Sequence, residues 1–392
     1  VTFTTSEPTR IANASLLTFV GATVITPLAA VGGSQTTYQV TIASNKPALR
    51  TAITINAAAG LFADFAGNIT AAQSRQLTYQ PLGSSNLLFG GDAAGYLIGQ
   101  QNLMKVVSAT GTQTNIPVFP GYKGGLSMAT ADVTGDGLYD YIIAPSSPSA
   151  STVLIINGAT GVVAGSFNAF PSYRGGINVA AADINGDGTN EIIVGTMGGT
   201  IATVAAFNST GSNRLVQFQP FGANFRAAVR ISSIDTSGGG QSDIVTAAGS
   251  GGVPVVRTYR YGNNRVTAVS SFYAFSNSYR GGVTVSAGDL NGDGRQELIV
   301  GTGGGTQSEV KIFNLANSAN PTMVTRKTVF PGFTGAANVG VVDYQDSGNL
   351  AVIVGAGASS TPTVNILNGR NLAVIDAFFA FERTFRGGVS VA

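Results

Sequence analysis

The amino-acid sequence predicts an all-β protein, and composition, a long-period repeat and alternating apolar residues support that prediction. Charged residues make up 10% of the 392 residues, and 53 residues are Gly. An ordinary soluble domain has about 25% charged residues and 7% Gly. This composition therefore favours short apolar strands joined by tight turns over charged helices. Gly and Pro follow no three-residue period, which excludes a collagen-like chain.

Two absent residue types narrow the chemistry. The chain has no His and no Cys, which excludes a Ser-His-Asp triad, a Cys-His pair, disulfides and zinc sites built on imidazole or thiolate. We therefore expect a protein that is not an enzyme. The formal net charge of +2 gives no reason to expect a nucleic-acid partner. The sequence contains no run of about 20 apolar residues, so it predicts no membrane span. A large chain without Cys favours export.

A repeat of slightly more than 50 residues organises the chain from residue 119 onward. Within each unit the pattern predicts four short strands; in the unit 276–330 these are 283–286, 297–300, 310–313 and 323–330. Four antiparallel strands per repeat are typical of a β-propeller blade. The marker of the repeat is a Phe that closes an apolar run, at Phe119, Phe170, Phe221, Phe275, Phe330 and Phe381.

The two ends of the repeat region predict a closed ring. Residues 86–119 contain the later strands of a unit, 87–89, 96–98, 104–107 and 116–119, without the opening strand. Residues 384–392 supply that opening strand. One blade is then shared between the two parts of the chain, which removes exposed sheet edges. Five whole units and this composite predict a six-bladed β-propeller over residues 86–392.

An acidic turn follows the first predicted strand of each unit. Three copies, 132–140, 183–191 and 289–297, share acids at positions 1, 5 and 9. Position 3 adds a side-chain oxygen, position 7 a backbone carbonyl, and Gly at position 6 permits a tight bend. The candidate metal ligands are Asp132, Thr134, Asp136, Leu138, Asp140, Asp183, Asn185, Asp187, Thr189, Glu191, Asp289, Asn291, Asp293, Arg295 and Glu297.

These loops suit Ca²⁺, and we expect about three ions. Ca²⁺ prefers an all-oxygen shell of flexible geometry, whereas Mg²⁺ demands a stricter octahedron. The alternative is that the Asn-Gly and Asp-Gly pairs form hairpin turns without metal, although three carboxylates within nine residues would repel one another there. Loop 235–243 lacks the central acid and loop 343–351 the closing acid, so we expect weak or no binding in both.

A basic residue beside an aromatic one precedes the first strand of most units. The turn and the acidic loop stand at opposite ends of that strand, so these bases should form a ring on the face opposite the metal loops. Such a ring would attract anionic glycans or acidic proteins. The structural alternative is that each base ties adjacent blades through turn carbonyls. The ligand-face candidates are Lys123, Arg174, Arg226, Arg280 and Arg386.

Residues 1–85 lack the repeat and predict a separate β-sandwich. Alternating segments at 1–5, 22–25, 37–42 and 51–55 are spaced as in an immunoglobulin-like domain. The stretches 4–8 and 64–68 resemble bacterial immunoglobulin-like repeats of surface adhesins. Those domains begin with one more strand, so we expect the first strand to be missing or supplied by another copy through strand addition, which would allow self-association.

The repeats resemble FG-GAP repeats, the units of integrin alpha-chain propellers and of many bacterial surface proteins. The resemblance rests on a strand followed by Asp-x-Asn-Gly-Asp-Gly-x-x-Glu, as in residues 183–191 and 289–297. It implies that these loops and 132–140 hold Ca²⁺ on one face and that ligands meet the other. Integrin propellers have seven blades, whereas this sequence predicts six.

Together these features predict a secreted or cell-surface protein that binds calcium and serves adhesion or scaffolding. Its expected partners are other surface proteins or anionic glycans. A lectin-like propeller that binds sugars is the main alternative. A polysaccharide-degrading enzyme is a third, but without His it would need Arg, Lys or Tyr as its base.

Overall fold

A computed structural model describes residues 2–20, 22–44, 51–79, 87–91, 103–107, 113–344 and 349–392. The chain divides into two compact units, residues 1–81 and 82–392. The predicted domain boundary at 85/86 and the predicted strand 96–98 lie outside the described residues.

The first unit consists of short antiparallel strands in three sheets, ordered β1-β5-β4, β3-β6-β8 and β2-β7. Its elements are β1 (Thr2–Thr4), β2 (Thr9–Ile11), a 3₁₀ helix (Ala14–Leu16), β3 (Leu17–Val20), β4 (Ala22–Ala30), a second 3₁₀ helix (Val31–Gly33), β5 (Thr37–Ser44), β6 (Thr51–Ala57), β7 (Phe62–Asp64) and β8 (Gln73–Tyr79). Ala22 and Ile55 form a cluster with side chains of β1, β3 and β5, so the two three-stranded sheets share a core. Four of these strands match segments that the alternation predicts, whereas the three-residue strands β2 and β7 are too short to show a period.

The second unit is a β-propeller built from four-stranded sheets, six of them in the described part of the chain. Sheet 1 contains β9 (Leu87–Gly91), β10 (Leu103–Val107), β11 (Gln113–Pro117) and the C-terminal β32 (Val389–Val391). Sheets 2 and 3 contain β12 (Leu126–Ala131), β13 (Asp140–Pro145), β14 (Thr152–Ile156) and β15 (Val163–Asn168), then β16 (Ile177–Ala182), β17 (Glu191–Thr196), β18 (Val204–Phe207) and β19 (Arg214–Phe218).

The remaining sheets repeat this antiparallel order. Sheet 4 contains β20 (Val229–Ile234), β21 (Asp243–Ala248), β22 (Val255–Gly262) and β23 (Arg265–Tyr273). Sheet 5 contains β24 (Val283–Gly288), β25 (Glu297–Thr302), β26 (Glu309–Asn314) and β27 (Thr322–Thr328). Sheet 6 contains β28 (Ala337–Val342), β29 (Ala351–Ala356), β30 (Thr363–Asn368) and β31 (Val374–Phe379).

The core of the second unit lies between neighbouring sheets. Among the described side chains, a separate hydrophobic cluster joins each consecutive pair of sheets from 1 to 6, and a further cluster joins sheet 6 to β32 of sheet 1. The first strands of the sheets also contact one another in this cyclic order, with β32 against both β28 and β12. The sheets therefore close on themselves, as the shared sheet in the sequence predicts.

In sheets 2 to 6 burial falls from the second strand to the fourth. β17 and β25 are buried at every residue, whereas the outer β15 alternates between exposed and half-buried residues. This gradient explains why the second strands read as continuous apolar runs.

Close packing also requires Gly at some positions: a Cβ at Gly355 would lie 2.4 Å from the carbonyl oxygen of Val389. The described residues include no helix with the length and apolar character of a membrane-crossing segment.

Candidate metal loops and basic ring

Four acidic loops, 132–140, 183–191, 235–243 and 289–297, share one backbone conformation. The Gly residues at positions 4 and 6 have positive φ; in the second loop Gly186 is at +83° and Gly188 at +85°. The Asp at position 1 holds this bend, because its two oxygens accept the N–H groups of positions 4 and 6, at 2.6 and 2.8 Å for Asp183. Asp132, Asp235 and Asp289 make the same pair of bonds.

The closing acid at position 9 begins the second strand and is buried. Asp140 is 0% exposed, and Glu191 and Glu297 are each 2% exposed. In each of the three complete loops it accepts the N–H of position 2, which carries a buried apolar side chain: Val133 (2.9 Å), Ile184 (3.0 Å) and Leu290 (3.1 Å). The apolar side chain at position 2 packs into the core, and the N–H group of the same residue holds the carboxylate of position 9 within the bend of the loop.

The central acid at position 5 is exposed, and its carboxylate accepts a backbone N–H group of the loop. One oxygen of Asp187 accepts the N–H of Thr189 at 2.8 Å. The same bond joins Asp136 to Leu138 (2.8 Å) and Asp293 to Arg295 (2.9 Å). The position-7 residues thus donate backbone N–H groups to the central acid, which is the geometry of an Asx turn.

Burial raises the pKa of three acids in these loops. Burial and the nearby charges of Asp187 and Asp183 raise the pKa of Glu191 to about 7, against bonds from Ile184 and Asn185 that lower it. Burial likewise raises the pKa of Glu297 and of Asp132. Within the described residues no Lys or Arg forms an ion pair with an acid of the three complete loops.

A side-chain amide lies against the acids of each complete loop. Nδ2 of Asn185 donates to Asp187 Oδ2 at 3.0 Å and to Glu191 Oε1 at 2.9 Å, and Asn291 makes the same pair of bonds at 3.1 and 2.9 Å. Loop 132–140 has Thr134 instead, and Nδ2 of Asn157, from the end of β14, donates to Asp136 Oδ2 at 2.5 Å and to Thr134 Oγ1 at 3.2 Å. Two carboxylates thus share one N–H donor in loops 183–191 and 289–297, whereas in loop 132–140 the amide bonds only the central acid.

In the incomplete loop 235–243 an arginine at the register position of Asn157 contacts the closing acid. Arg260 follows Tyr259, which pairs with Ile244 in the neighbouring strand. The residues at the same register position in sheets 2, 3 and 5 are Asn157, Asn208 and Asn314. Its guanidinium forms a two-point ion pair with the buried Asp243 through Nε to Oδ1 and Nη2 to Oδ2. Burial would raise the pKa of Asp235 in this loop, but bonds from Ser237, Gly240 and Gly238 lower it overall.

Metal ligation is not preformed by the acids alone. In the portion of the chain that the structure describes, no group of three acidic side chains is arranged to hold a metal ion. The acids are instead occupied by the backbone and amide N–H groups described above. In sheet 6, Asp343 is buried, residues 345–348 lie outside the described residues, and the closing position is the buried Ala351.

Neighbouring loops are joined by hydrogen bonds from position 8. Asn190 Nδ2 donates to the carbonyl of Asp132 at 2.9 Å, and the N–H groups of Ser242 and Gln296 donate to the carbonyls of Asp183 and Asp235, each at 2.8 Å. Consecutive loops of sheets 2 to 5 therefore form a bonded series. The repeat pattern of acids gives no signal for this contact, because position 8 varies in residue type.

The five bases of the predicted ring are all exposed and stand at the ends of the first strands opposite the acidic loops. Three guanidinium groups bind their own turn through Nη1: Arg174 donates to Pro171 O and Tyr173 O, Arg280 to Asn277 O and Tyr279 O, and Arg386 to Arg383 O and Phe385 O. The backbone carbonyl of Arg174, in contrast, accepts the N–H of Ser149 from sheet 2 at 3.0 Å. The side chains thus stiffen single turns, and the main chain joins the sheets.

A groove of about 650 Å³ lies beside Arg174. Arg214 and Gln217 of β19 line its other wall, where Arg214 Nη1 donates to Gln217 Oε1 at 2.7 Å. Tyr173 also lines it, with its hydroxyl donating to Gly198 O at 2.6 Å and accepting from Met197 N at 3.0 Å. Burial raises the pKa of Tyr173.

Comparison with protein families finds two matches in the second unit. A family model for the FG-GAP-like repeat matches residues 132–194, and a model for the FG-GAP repeat matches residues 175–214 and 281–313. These ranges contain the three complete acidic loops. A search of curated proteins finds no match.

Solved structures give distant similarities. Rhamnogalacturonan lyase YesW is 14% identical, with a TM-score of 0.41 over 94% of this chain and 65% of that one. A protein of unknown function from Bacteroides caccae is 13% identical, with a TM-score of 0.48 over 78% of this chain and 98% of that one. The chain spans less than two thirds of the lyase.

Proposed function

Because the second unit carries FG-GAP repeats in a β-propeller, we propose that the chain is a calcium-binding adhesion or scaffold protein of the cell surface. The propeller has six blades, one for each four-stranded sheet, and follows an immunoglobulin-like domain. Calcium occupies the loops 132–140, 183–191 and 289–297, and the face bearing the exposed bases meets acidic surface proteins or anionic glycans.

The observation that carries the calcium proposal is the contrast between complete and incomplete loops. Where the central acid is missing, Arg260 supplies a positive charge to the closing Asp243. Where three acids are present, the described residues supply only uncharged N–H donors of the backbone and of side-chain amides, and the pKa of Glu191 rises to about 7. An all-oxygen set that lacks a protein cation suits a bound Ca²⁺ ion. Binding requires the acids to exchange N–H partners for the ion.

Metal analysis tests this proposal directly. The chain should bind three Ca²⁺ ions, and removal by a chelator should lower its melting temperature, since a ligand that binds only the folded state stabilises it. Fewer than two ions per chain, together with a melting temperature that chelation leaves unchanged, would contradict it.

Asp187→Asn sharpens the test to one loop. Asp187 is exposed, and an Asn can keep the bond from Thr189 N, so the metal-free melting temperature should change by no more than about 2 °C. Calcium stoichiometry, measured by titration calorimetry, should fall by one ion. The control is Asp64→Asn in the first unit, where Asp64 accepts bonds from Asn68 outside any acidic repeat; its stoichiometry should remain at three.

A lectin-like role is the second candidate, and the groove beside Arg174 favours it. Two arginines, a Gln and an aromatic ring around about 650 Å³ suit an acidic sugar. We propose binding without catalysis, because the Tyr173 hydroxyl is held by two backbone groups and its pKa is raised, which opposes its use as a general base. A glycan array with no hit among acidic sugars would remove this candidate.

Self-association through the first unit is a further part of the proposal. β1 is a three-residue edge strand of its sheet, and an edge of this kind accepts an added strand. Light scattering should give a concentration-dependent mass that residues 82–392 alone do not show; a monomer at all concentrations would contradict it.

A further inference from the structure

The first strands of the six sheets surround a cavity of about 90 Å³. The second residue of each first strand lines it, and apolar residues such as Val179, Val285 and Val339 flank this polar layer. The six polar residues are Ser127, Asn178, Arg230, Thr284, Asn338 and Ser390.

Four members of this layer tie neighbouring first strands together. Their polar atoms pair with the backbone of the next strand, so their hydrogen-bonding capacity is largely used. The bonds are Val179 N to Ser127 Oγ (3.0 Å), Asn178 Nδ2 to Val229 O (3.0 Å), Thr284 Oγ1 to Ala337 O (2.6 Å) and Asn338 Nδ2 to Val389 O (2.8 Å).

Arg230 departs from this pattern. Its one hydrogen bond in the described structure runs from Nη1 to Asn178 Oδ1 at 3.4 Å, although a guanidinium offers five N–H donors. No carboxylate is among the residues that line the cavity, and the described residues give Arg230 no ion pair. Arg230 is half-buried, and a partly desolvated cation without a counter-charge gains from an anion beside it.

A second group in the same wall also lacks a partner. Ser146 lines the cavity and is 8% exposed, and its buried hydroxyl has no hydrogen-bond partner in the described structure. Buried hydroxyls are ordinarily satisfied by protein, water or a ligand. The wall of the cavity thus holds an unpaired positive charge and, behind the accessible surface, a hydroxyl whose hydrogen-bonding capacity is unused.

We propose that this cavity binds a small inorganic anion of the halide class at Arg230. The guanidinium supplies the charge-assisted N–H bonds that such an ion requires. A water molecule needs only about 10–15 Å³ of such space, so the cavity has room for a halide together with several waters. The site differs from the exposed basic ring in its place, because Arg230 lies within a first strand and the ring residues lie in the turns that precede these strands.

Bromide is the probe for the intact chain. Crystals soaked in bromide should show an anomalous peak beside the Arg230 guanidinium, and the melting temperature should rise in chloride relative to gluconate at equal ionic strength and pH. In ³⁵Cl NMR the chloride line should broaden on adding protein. Absence of the peak, or equal melting temperatures in the two salts, would overturn the proposal.

Variants locate the effect. Arg230→Met should weaken chloride affinity at least about tenfold by removing charged hydrogen bonds, whereas Arg230→Lys should retain part of it. The control, Arg265→Met, removes an exposed arginine of β23 and should leave chloride binding unchanged. Chloride broadening that survives in Arg230→Met would overturn the assignment; if this variant does not fold, the wild-type bromide peak and the salt comparison decide.

Discussion

Arg260 is the residue that most sharply separates the four loops. Its position holds Asn in sheets 2, 3 and 5, where the nearby loops carry three acids, and Arg in sheet 4, where Gly239 replaces the central acid. The loss of one negative charge and the gain of one positive charge therefore coincide at one site. The protein thus achieves in sheet 4, with its own side chain, the charge balance that we assign to calcium elsewhere.

This exchange predicts that a calcium site can be restored. Gly239→Asp with Arg260→Asn gives loop 235–243 the acid positions of loop 132–140. Gly239 does not have positive φ, and an added Cβ meets only Ser237 Oγ, at 3.1 Å. Titration calorimetry should count one more Ca²⁺ ion than in the parent chain.

The single change Gly239→Asp is the control, because Arg260 then still neutralises Asp243 and competes with the ion. Its calcium affinity at this loop should be at least about tenfold weaker than that of the double variant. An unchanged stoichiometry in the double variant would contradict the charge-exchange interpretation.

At the scale of elements, the backbone and the side chains of the turns before the first strands have different roles, one structural and one available for binding. Backbone carbonyls of these turns join sheets, as Arg174 O does with Ser149 N, while the guanidinium groups bind their own turn and stay exposed. Loss of the side chain therefore removes exposed hydrogen bonds that are each worth about 1 kcal/mol or less.

We accordingly expect Arg174→Ala with Arg280→Ala to lower the melting temperature by about 2 °C or less and to weaken binding to a sulfated glycan column. The elution salt should fall, because surface charge contacts are screened by salt. The matched control is Arg265→Ala with Arg326→Ala, which removes the same charge from outer strands. Equal losses in both double variants would show that net charge, rather than the ring, controls retention; a collapse in stability would assign the ring a structural role.

Much of this element-level organisation was predictable from the sequence, and its limits have physical causes. The repeat predicts the strands of sheet 5 to within two residues at every end, because each strand alternates or runs apolar between Gly-rich turns. It also predicts the loop acids. The repeat does not identify the apolar residue at position 2 as the anchor of the loop, because that role depends on burial. It also does not identify Arg260 as the partner of Asp243, because Arg260 comes from a strand about 20 residues away. A recurring Asn after the third strand was the available signal.

The polar layer of the central cavity escaped the sequence analysis for a related reason. Each member, such as Thr284 or Ser390, is an ordinary polar residue in a strand, and only the closed arrangement of first strands brings six of them together. Properties that depend on a single blade can therefore be predicted from one repeat, whereas properties of the ring depend on all the repeats together.

For the whole molecule, closure through β32 is the feature that stability measurements can test. Val389 is fully buried and belongs to the cluster between sheets 6 and 1. Val389→Ala should cost about 2 kcal/mol, as large-to-small core changes do, and should lower the urea midpoint without changing the slope. Val229→Ala, at the same position of β20, should cost a similar amount.

The exposed Val324→Ala is the control for propensity alone and should change stability by about 0.5 kcal/mol or less. A Val389→Ala variant as stable as Val324→Ala would contradict closure of the ring through the C-terminal strand.

The pairing of β32 with β9 also has a consequence for the order in which the chain folds. Sheets 2 to 6 each consist of consecutive strands, so their contacts can form as soon as the local segment is available. Sheet 1 joins Gly91 to Val389, and a contact between such distant residues carries a large loop-closure entropy and forms slowly. During synthesis, the loops at 132–140, 183–191 and 289–297 are therefore complete while the ring is still open. If calcium binds these loops as proposed, it would stabilise the individual sheets before β32 is added, so its supply would affect the yield of closed protein as well as its final stability.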